Sequence, residues 1–81
     1  MTDAPSMTAF LEALGKRLLD GWEVAAASYE RNKSIVMELR RGQSSRMFTI
    51  ACGDDDLTTN YEQLAWVAAH GIGARHGIKH T

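Results

Sequence analysis

Eighty-one residues with 44% hydrophobic and 23% charged content specify one globular domain and exclude a disordered chain, which would be poor in apolar residues and rich in net charge. The formal net charge is −1, so no global field recruits nucleic acid or an anionic membrane. The single cysteine, Cys52, has no disulfide partner, no apolar run reaches the length of a membrane span, and the first residues lack a basic-then-apolar leader, so a cytoplasmic location is expected.

The first predicted element is a helix. Pro5 and Ser6 precede it, Ser6 as a cap for the free amides of the first turn. Met7, Phe10, Leu11, Leu14 and Leu18 recur at helical spacing and fall in one stripe, and Gly21 supplies a left-handed stop. Three strands are expected next. In residues 22–29, Trp22, Val24 and Ala26 alternate with Glu23, Ala25, Ala27 and Tyr29. The second strand, residues 34–41, sets Ile35, Met37 and Leu39 against Val36, Glu38 and Arg40. The third, residues 45–52, sets Phe48, Ile50 and Cys52 against Met47, Thr49 and Ala51. Turns at Arg31-Asn32-Lys33 and around Gly42 are too short for anything but an antiparallel meander.

Residues 53–56 read as an acidic loop, and Thr59 with Glu62 as a capping box for a second helix. Tyr61, Leu64, Ala65 and Ala68 form its inward stripe. Gly71 is expected to end it, with Ile72 folding back on Val67, and residues 73–81 are expected to be a mobile basic tail. The N-terminal residues 1–5 are expected to be mobile as well. The fold class is therefore α+β, a two-layer domain of order α-β-β-β-α with both helices on one face of a three-stranded antiparallel sheet.

Charge is patterned along the chain. Residues 30–49 carry Arg31, Lys33, Arg40, Arg41 and Arg46 against Glu30 and Glu38, a net of +3, while residues 50–70 carry only Asp54, Asp55, Asp56 and Glu62. The basic set surrounds the two hairpin turns and is the candidate contact for nucleic-acid phosphates. The three aspartates lack the alternating spacers with which a calcium loop brings its ligands together, and read as a solvated cluster favouring the following helix N-terminus. His70, His76 and His80 have no nearby cysteine and sit among glycines, so no zinc site is expected. Cys52 lies in phase with Phe48 and Ile50 and reads as a core residue, with no histidine placed to activate it. No metal, cofactor or catalytic pair is assigned.

Two features are not absorbed by folding. Trp66 stands well off the inward stripe of its helix, beside Glu62 and His70, and aromatic residues concentrate at interfaces. The sheet face assigned to Ala25, Ala27, Tyr29, Val36, Met47, Thr49 and Ala51 is small and apolar, a type of patch that marks interaction sites, a homodimer interface included. The candidate partner-binding residues are accordingly Trp66, Glu62, Asp54, Asp55, Asp56, Tyr29 and Met47.

The element order resembles that of double-stranded-RNA-binding domains and of HicA-type toxin ribonucleases. The chain has Thr58-Thr59-Asn60-Tyr61-Glu62 where the former place a lysine cluster, and no histidine between Trp22 and Cys52 where the latter place theirs. Leu18-Leu19-Asp20-Gly21-Trp22-Glu23-Val24 resembles small bacterial domains in which a helix runs through Gly-Trp-Glu into a hairpin, and implies the same architecture. In size, acidic patches and absence of motifs the whole chain resembles phage-encoded inhibitors, including anti-CRISPR proteins. That resemblance implies a non-enzymatic protein-binding module, monomer or homodimer, that blocks a host nucleic-acid-processing complex by steric or charge-mimetic occlusion. A nucleic-acid-binding regulator using Arg31, Lys33, Arg40, Arg41 and Arg46 is the alternative.

Overall fold

The computed structural model describes residues 7–81. Helix α1 (Met7–Arg17) leads into strands β1 (Glu23–Glu30), β2 (Ser34–Arg41) and β3 (Ser44–Ala51). A short helix α2 (Asp54–Thr58) and a long helix α3 (Tyr61–His76) follow. The expected cap at Pro5 and Ser6, and the segment 1–5, lie outside the described residues. The strands pair antiparallel in the order β1-β2-β3, and α1 and α3 pack on each other over one face of the sheet, giving the expected two-layer α+β fold.

The core joins Phe10 and Leu14 of α1, and Leu18 just beyond it, to Ile35, Met37, Leu39 and Phe48 of the sheet and to Leu64, Ala65, Ala68, Ala69 and Ile72 of α3. Phe10, Leu14, Ile35, Met37, Leu39, Leu57 and Ile72 are fully buried. Each such side chain contributes about 1.5–3 kcal/mol, against about 0–1 for an exposed ion pair, so the core and not the surface charge holds this fold.

Strict alternation fails in β1. Val24 pairs with Leu39, but Ala26 pairs with Glu38, so Ala25 is an extra residue in a β-bulge. From that point the side chains change face. Ala27 and Tyr29 lie opposite Met37 and Ile35, pack on the core, and leave Ala26 and Ser28 on the outer face. The assignment of Ala27 and Tyr29 to the outer face is therefore corrected, because one inserted residue reverses the phase of a period-two pattern.

The acidic segment is also more ordered than a loop. Asp54, Asp55 and Asp56 form the first turn of α2, where their charge favours the helix N-terminus, and Asp56 Oδ2 accepts a hydrogen bond from the Gly53 amide (2.8 Å). One half of a capping box, the N3 carboxylate on the N-cap amide, thus falls at residues 53–56. At the expected place, Thr59 instead closes α2, its hydroxyl donating to the Asp55 carbonyl (2.9 Å), and Asn60 precedes α3 without a side-chain cap.

Gly71 does not end the last helix. α3 runs to His76, and Gly77, at φ 68°, is the left-handed residue that stops it. Gly71 and Gly73 are sites of close approach instead. A Cβ on Gly71 would lie 2.8 Å from Cζ of Phe48, and one on Gly73 would lie 2.8 Å from the His80 ring. Ile72, expected beyond the helix, is buried within it. The segment expected as a mobile tail is docked: Ile78 is buried, the Leu19 amide donates to the Lys79 carbonyl (3.0 Å), and the Thr81 amide donates to the Arg17 carbonyl (2.8 Å). A buried apolar anchor and backbone pairing with the end of α1 outweigh the local glycine content.

Candidate functional site

The candidate residues divide among three places on the molecule. The first is the β1–β2 turn, where Tyr29, Arg31 and Asp54 meet. Asn32 adopts the left-handed conformation (φ 56°) that its short polar side chain tolerates, closing the turn. Its Oδ1 accepts the Asp54 amide (2.9 Å) and its own amide donates to Tyr29 Oη (2.9 Å). Asp54 then binds both sides of the turn, Oδ1 accepting from Tyr29 Oη (2.6 Å) and Oδ2 from Arg31 Nε (2.8 Å). The Tyr29 hydrogen bond, followed by that of Arg31, holds the Asp54 carboxyl below the usual carboxylate range. Burial and the carboxylate acceptor raise the Tyr29 phenol, and the Asp54 hydrogen bond raises the Arg31 guanidinium. Asp54 and Tyr29 thus engage each other in fastening hairpin to helix. Lys33 makes a loose pair with Glu30 (3.4 Å), and Asp55 is exposed.

The second place is the β2–β3 turn, at the opposite end of strands about 26 Å long. The basic set is split between the two ends, with Arg31 and Lys33 at the first and Arg40, Arg41 and Arg46 here. Arg40 pairs with Glu38 (3.0 Å), which also accepts from Ser45 Oγ (2.8 Å), and these bonds, Ser45 first, lower the Glu38 carboxyl. Arg41 lies over the Trp22 ring, its guanidinium carbon 5.0 Å from the centroid. Arg46 donates to the neighbouring Ser45 carbonyl (2.8 Å).

The third place is the outward side of α3. Trp66 is 47% and Val67 45% exposed, and Gln63, His70 and Ala74 are exposed beside them. The rings of Trp66 and His70 are 4.0 Å apart between centroids, and His80 meets His70 edge-on at 4.6 Å, so the docked C-terminal segment fixes the orientation of this row. Glu62, one turn before Trp66, lines a surface cleft of about 370 Å³ with Ala13, Lys16, Arg17 and Thr81. Between Glu62 and Arg75 the helix holds no Asp, Glu, Lys or Arg. Over that stretch α3 is apolar toward the core and presents no acid, lysine or arginine to water, where a surface helix normally turns a charged face outward.

Met47 is 58% exposed on the outer face of the sheet, away from Trp66, with Val36 and Thr49 near it. The bulge makes this face more polar than its sequence pattern implied, since Ser28 takes the place expected for Ala27. The Met47 carbonyl accepts a hydrogen bond from His76 Nε2 (3.0 Å), which ties the C-terminal end of α3 to the sheet edge. Cys52 is buried, and burial pushes its thiol up, away from the reactive thiolate. Among the described residues no group of three His, Cys, Asp or Glu side chains converges to hold a metal ion, and no helix is long and apolar enough to cross a membrane.

The sequence pattern singled out Trp66 but missed the uncharged face around it. The signal was present as the charge-free run 63–74, obscured by ending the helix at Gly71. The chain matches no protein-family model, no curated protein and no solved structure.

Proposed function

We propose that this chain is a non-enzymatic protein-binding module whose partner covers the outer face of α3. The observation that carries the reading is the absence of charge from that face across residues 63–74, with Trp66 and Val67 both exposed at its centre. A helix that is apolar or neutral on every side is normally covered on every side, and a large half-exposed aromatic supplies contact area at little entropic cost. Asp56, which shares a surface cleft with Gln63 and Val67, and Glu62, in the first turn of α3, flank the N-terminal end of this ridge. The complementary partner therefore has an apolar groove edged with basic residues. A nucleic-acid-processing protein presents such a groove where it holds phosphates, and the inhibitor function implied by the likeness to anti-CRISPR proteins is the finer form of this reading. Occupying that groove with carboxylates excludes its nucleic acid by charge mimicry.

A photo-crosslinking amino acid in place of Trp66, introduced in cells that express the chain, tests the proposal. The expected result is one dominant protein adduct, absent when the crosslinker replaces Lys33. Equal adducts from both positions, or none from position 66, would overturn it. Trp66→Ala is expected to leave the thermal midpoint within a few degrees, since the indole is half exposed, lies against the exposed His70 ring and is outside the buried core.

A further inference from the structure

We propose that the free edge of β3 pairs antiparallel with the same edge of a second copy, forming a two-fold dimer with one continuous sheet. This goes beyond the reading above, since it uses the sheet margin and leaves Trp66 and Glu62 uncovered. β3 lies at one side of the sheet, and its backbone groups point alternately to β2 and to the outside. The Cys52 amide donates to the Lys33 carbonyl, which turns the even-numbered residues of the strand toward β2. Ser45, Met47, Thr49 and Ala51 therefore direct their amides and carbonyls outward, and the His76 bond to the Met47 carbonyl is made on that side (3.0 Å). Among the described residues, side chains reach only the Ser45 and Met47 carbonyls of this row.

The two margins of the sheet are not alike. β1 carries the bulge at Ala25 and an acid at each end, Glu23 and Glu30, devices that keep an edge from pairing with another chain. β3 pairs with β2 without irregularity along its length, holds no proline and no acid, and exposes Ser45, Met47, Thr49 and Ala51. Such a row of outward amides and carbonyls is a template for one more strand.

Charge selects a second copy as that strand and fixes its register. β3 has Arg46 near its start, and beside its end lies a surface cleft of about 300 Å³ lined by Ile50, Ala51, Leu64, Val67 and Asp56. With Phe48 on the two-fold axis, Ser45 pairs with Ala51 of the other copy, and Met47 with Thr49. Arg46 then stands across from Ile50 of the other copy, where its methylenes cover the apolar wall of the cleft and its guanidinium meets Asp56. Neither Arg46 nor Asp56 has an ion-pair partner among the described residues. A parallel pairing would set Arg46 beside Arg46. Moving Arg46 into the cleft also frees the Ser45 carbonyl for the incoming Ala51 amide, and the Met47 carbonyl, with His76 on one lone pair, keeps the other for the Thr49 amide. The symmetry consumes both open edges and leaves only the bulged β1 margins, so association stops at the dimer.

Sedimentation equilibrium of the intact chain from roughly 1 μM to 1 mM is expected to show a monomer–dimer equilibrium with a Kd on the order of 10–100 μM, as suits a small interface. Thr49→Pro removes an outward amide where a free margin tolerates proline, and is expected to raise Kd at least about tenfold with the circular dichroism spectrum kept. Should that variant lose its fold, Arg46→Asp is the second: it is expected to raise Kd by about tenfold, and adding Asp56→Arg to restore it to within about threefold. Trp66→Ala is expected to leave Kd unchanged, so the dimer and the α3 reading stand or fall separately. The proposal is overturned by a monomer throughout that range, which would leave the edge to a strand of a different protein. It is overturned equally by a folded Thr49→Pro that dimerises like the parent, or by a charge exchange that fails to restore a dimer lost in Arg46→Asp. A dimer disrupted more by Val36→Lys than by Thr49→Pro would place the contact on the outer sheet face and also overturn it.

Discussion

The two hairpin tips of this meander are close in length and both are basic, yet the fold treats them differently. The β1–β2 tip is fastened to α2 by three hydrogen bonds that join Asp54 to Tyr29, Arg31 and Asn32, and a fourth, from the Asn32 amide to Tyr29 Oη, braces the turn itself. The β2–β3 tip is held by its own strand pairing, by Arg41 on Trp22 and by the local bonds of Glu38. At the first tip a cation is consumed in joining two elements that are adjacent in space and distant in sequence. At the second, Arg40 is held by Glu38 within its own strand and Arg41 lies on Trp22, while Arg46 bonds only locally, to the Ser45 carbonyl. Charge in a sequence thus becomes interaction surface only where no element of the same chain arrives to neutralise it.

The strongest way to break this comparison is to release the fastened tip. Asp54→Ala removes the acceptor of both Tyr29 and Arg31 and leaves the Tyr29 hydroxyl without its partner in a half-buried setting. The expected result is a thermal midpoint lower by several degrees, with faster amide exchange at Asn32 and at Cys52, whose amide donates to the Lys33 carbonyl beside the tip (3.1 Å). Tyr29→Phe keeps the Arg31 pair and is expected to lose less. An unchanged midpoint in Asp54→Ala would mean that the two tips are energetically alike.

Little of that difference was legible in the sequence. The three aspartates are equivalent as text, and only the path of the chain after Cys52 selects Asp54 for Arg31 and Tyr29. Tyr29 itself was placed on the wrong face because the run Val24-Ala25-Ala26-Ala27 holds nothing that locates a bulge: each alanine suits either side of a sheet. Gly71 misled for a related reason. Glycine marks both helix ends and close contacts, and the deciding fact, the Phe48 ring against its Cα, is a long-range one. The larger periodic elements were legible throughout, since α1, β2 and β3 each repeat one period without interruption. The sequence set Trp66 off the inward stripe without deciding between exposure and packing under the C-terminal segment, and its neutral surroundings followed only once α3 was known to continue through Gly71 and Gly73.

Acid should loosen the fastened tip through the same carboxylate. Asp54 is held below its unfolded value by Tyr29 and Arg31, so its contribution is fully present above about pH 4, the range in which a free aspartate is ionised, and is lost as pH falls through the lowered folded value. Glu38 is shifted in the same direction and loosens the bonds to Ser45 and Arg40 over the same range. Thermal melts across this acid range are expected to show stability falling with pH. Asp54→Asn should flatten part of the slope, leaving the part that Glu38 supplies, and an identical slope in the variant would separate Asp54 from the acid sensitivity.

The smallest expected effect tests the open tip. Arg41 covers the Trp22 ring at 5.0 Å, and its methylene carbons lie 3.7 and 3.8 Å from where a Cβ on Gly21 would sit, so it shields the edge of the core at the start of β1. Arg41→Ala removes a partly exposed cation–π contact of about 0.5–1 kcal/mol, and Arg41→Lys should recover part of it, because an ammonium retains the attraction but not the planar stacking. Arg46→Ala, whose side chain among the described residues bonds only to the adjacent Ser45 carbonyl, should stay within about 0.5 kcal/mol of the parent. Denaturant titration resolves the two. If Arg46 proved as costly as Arg41, the β2–β3 tip would be bound into the fold as the β1–β2 tip is.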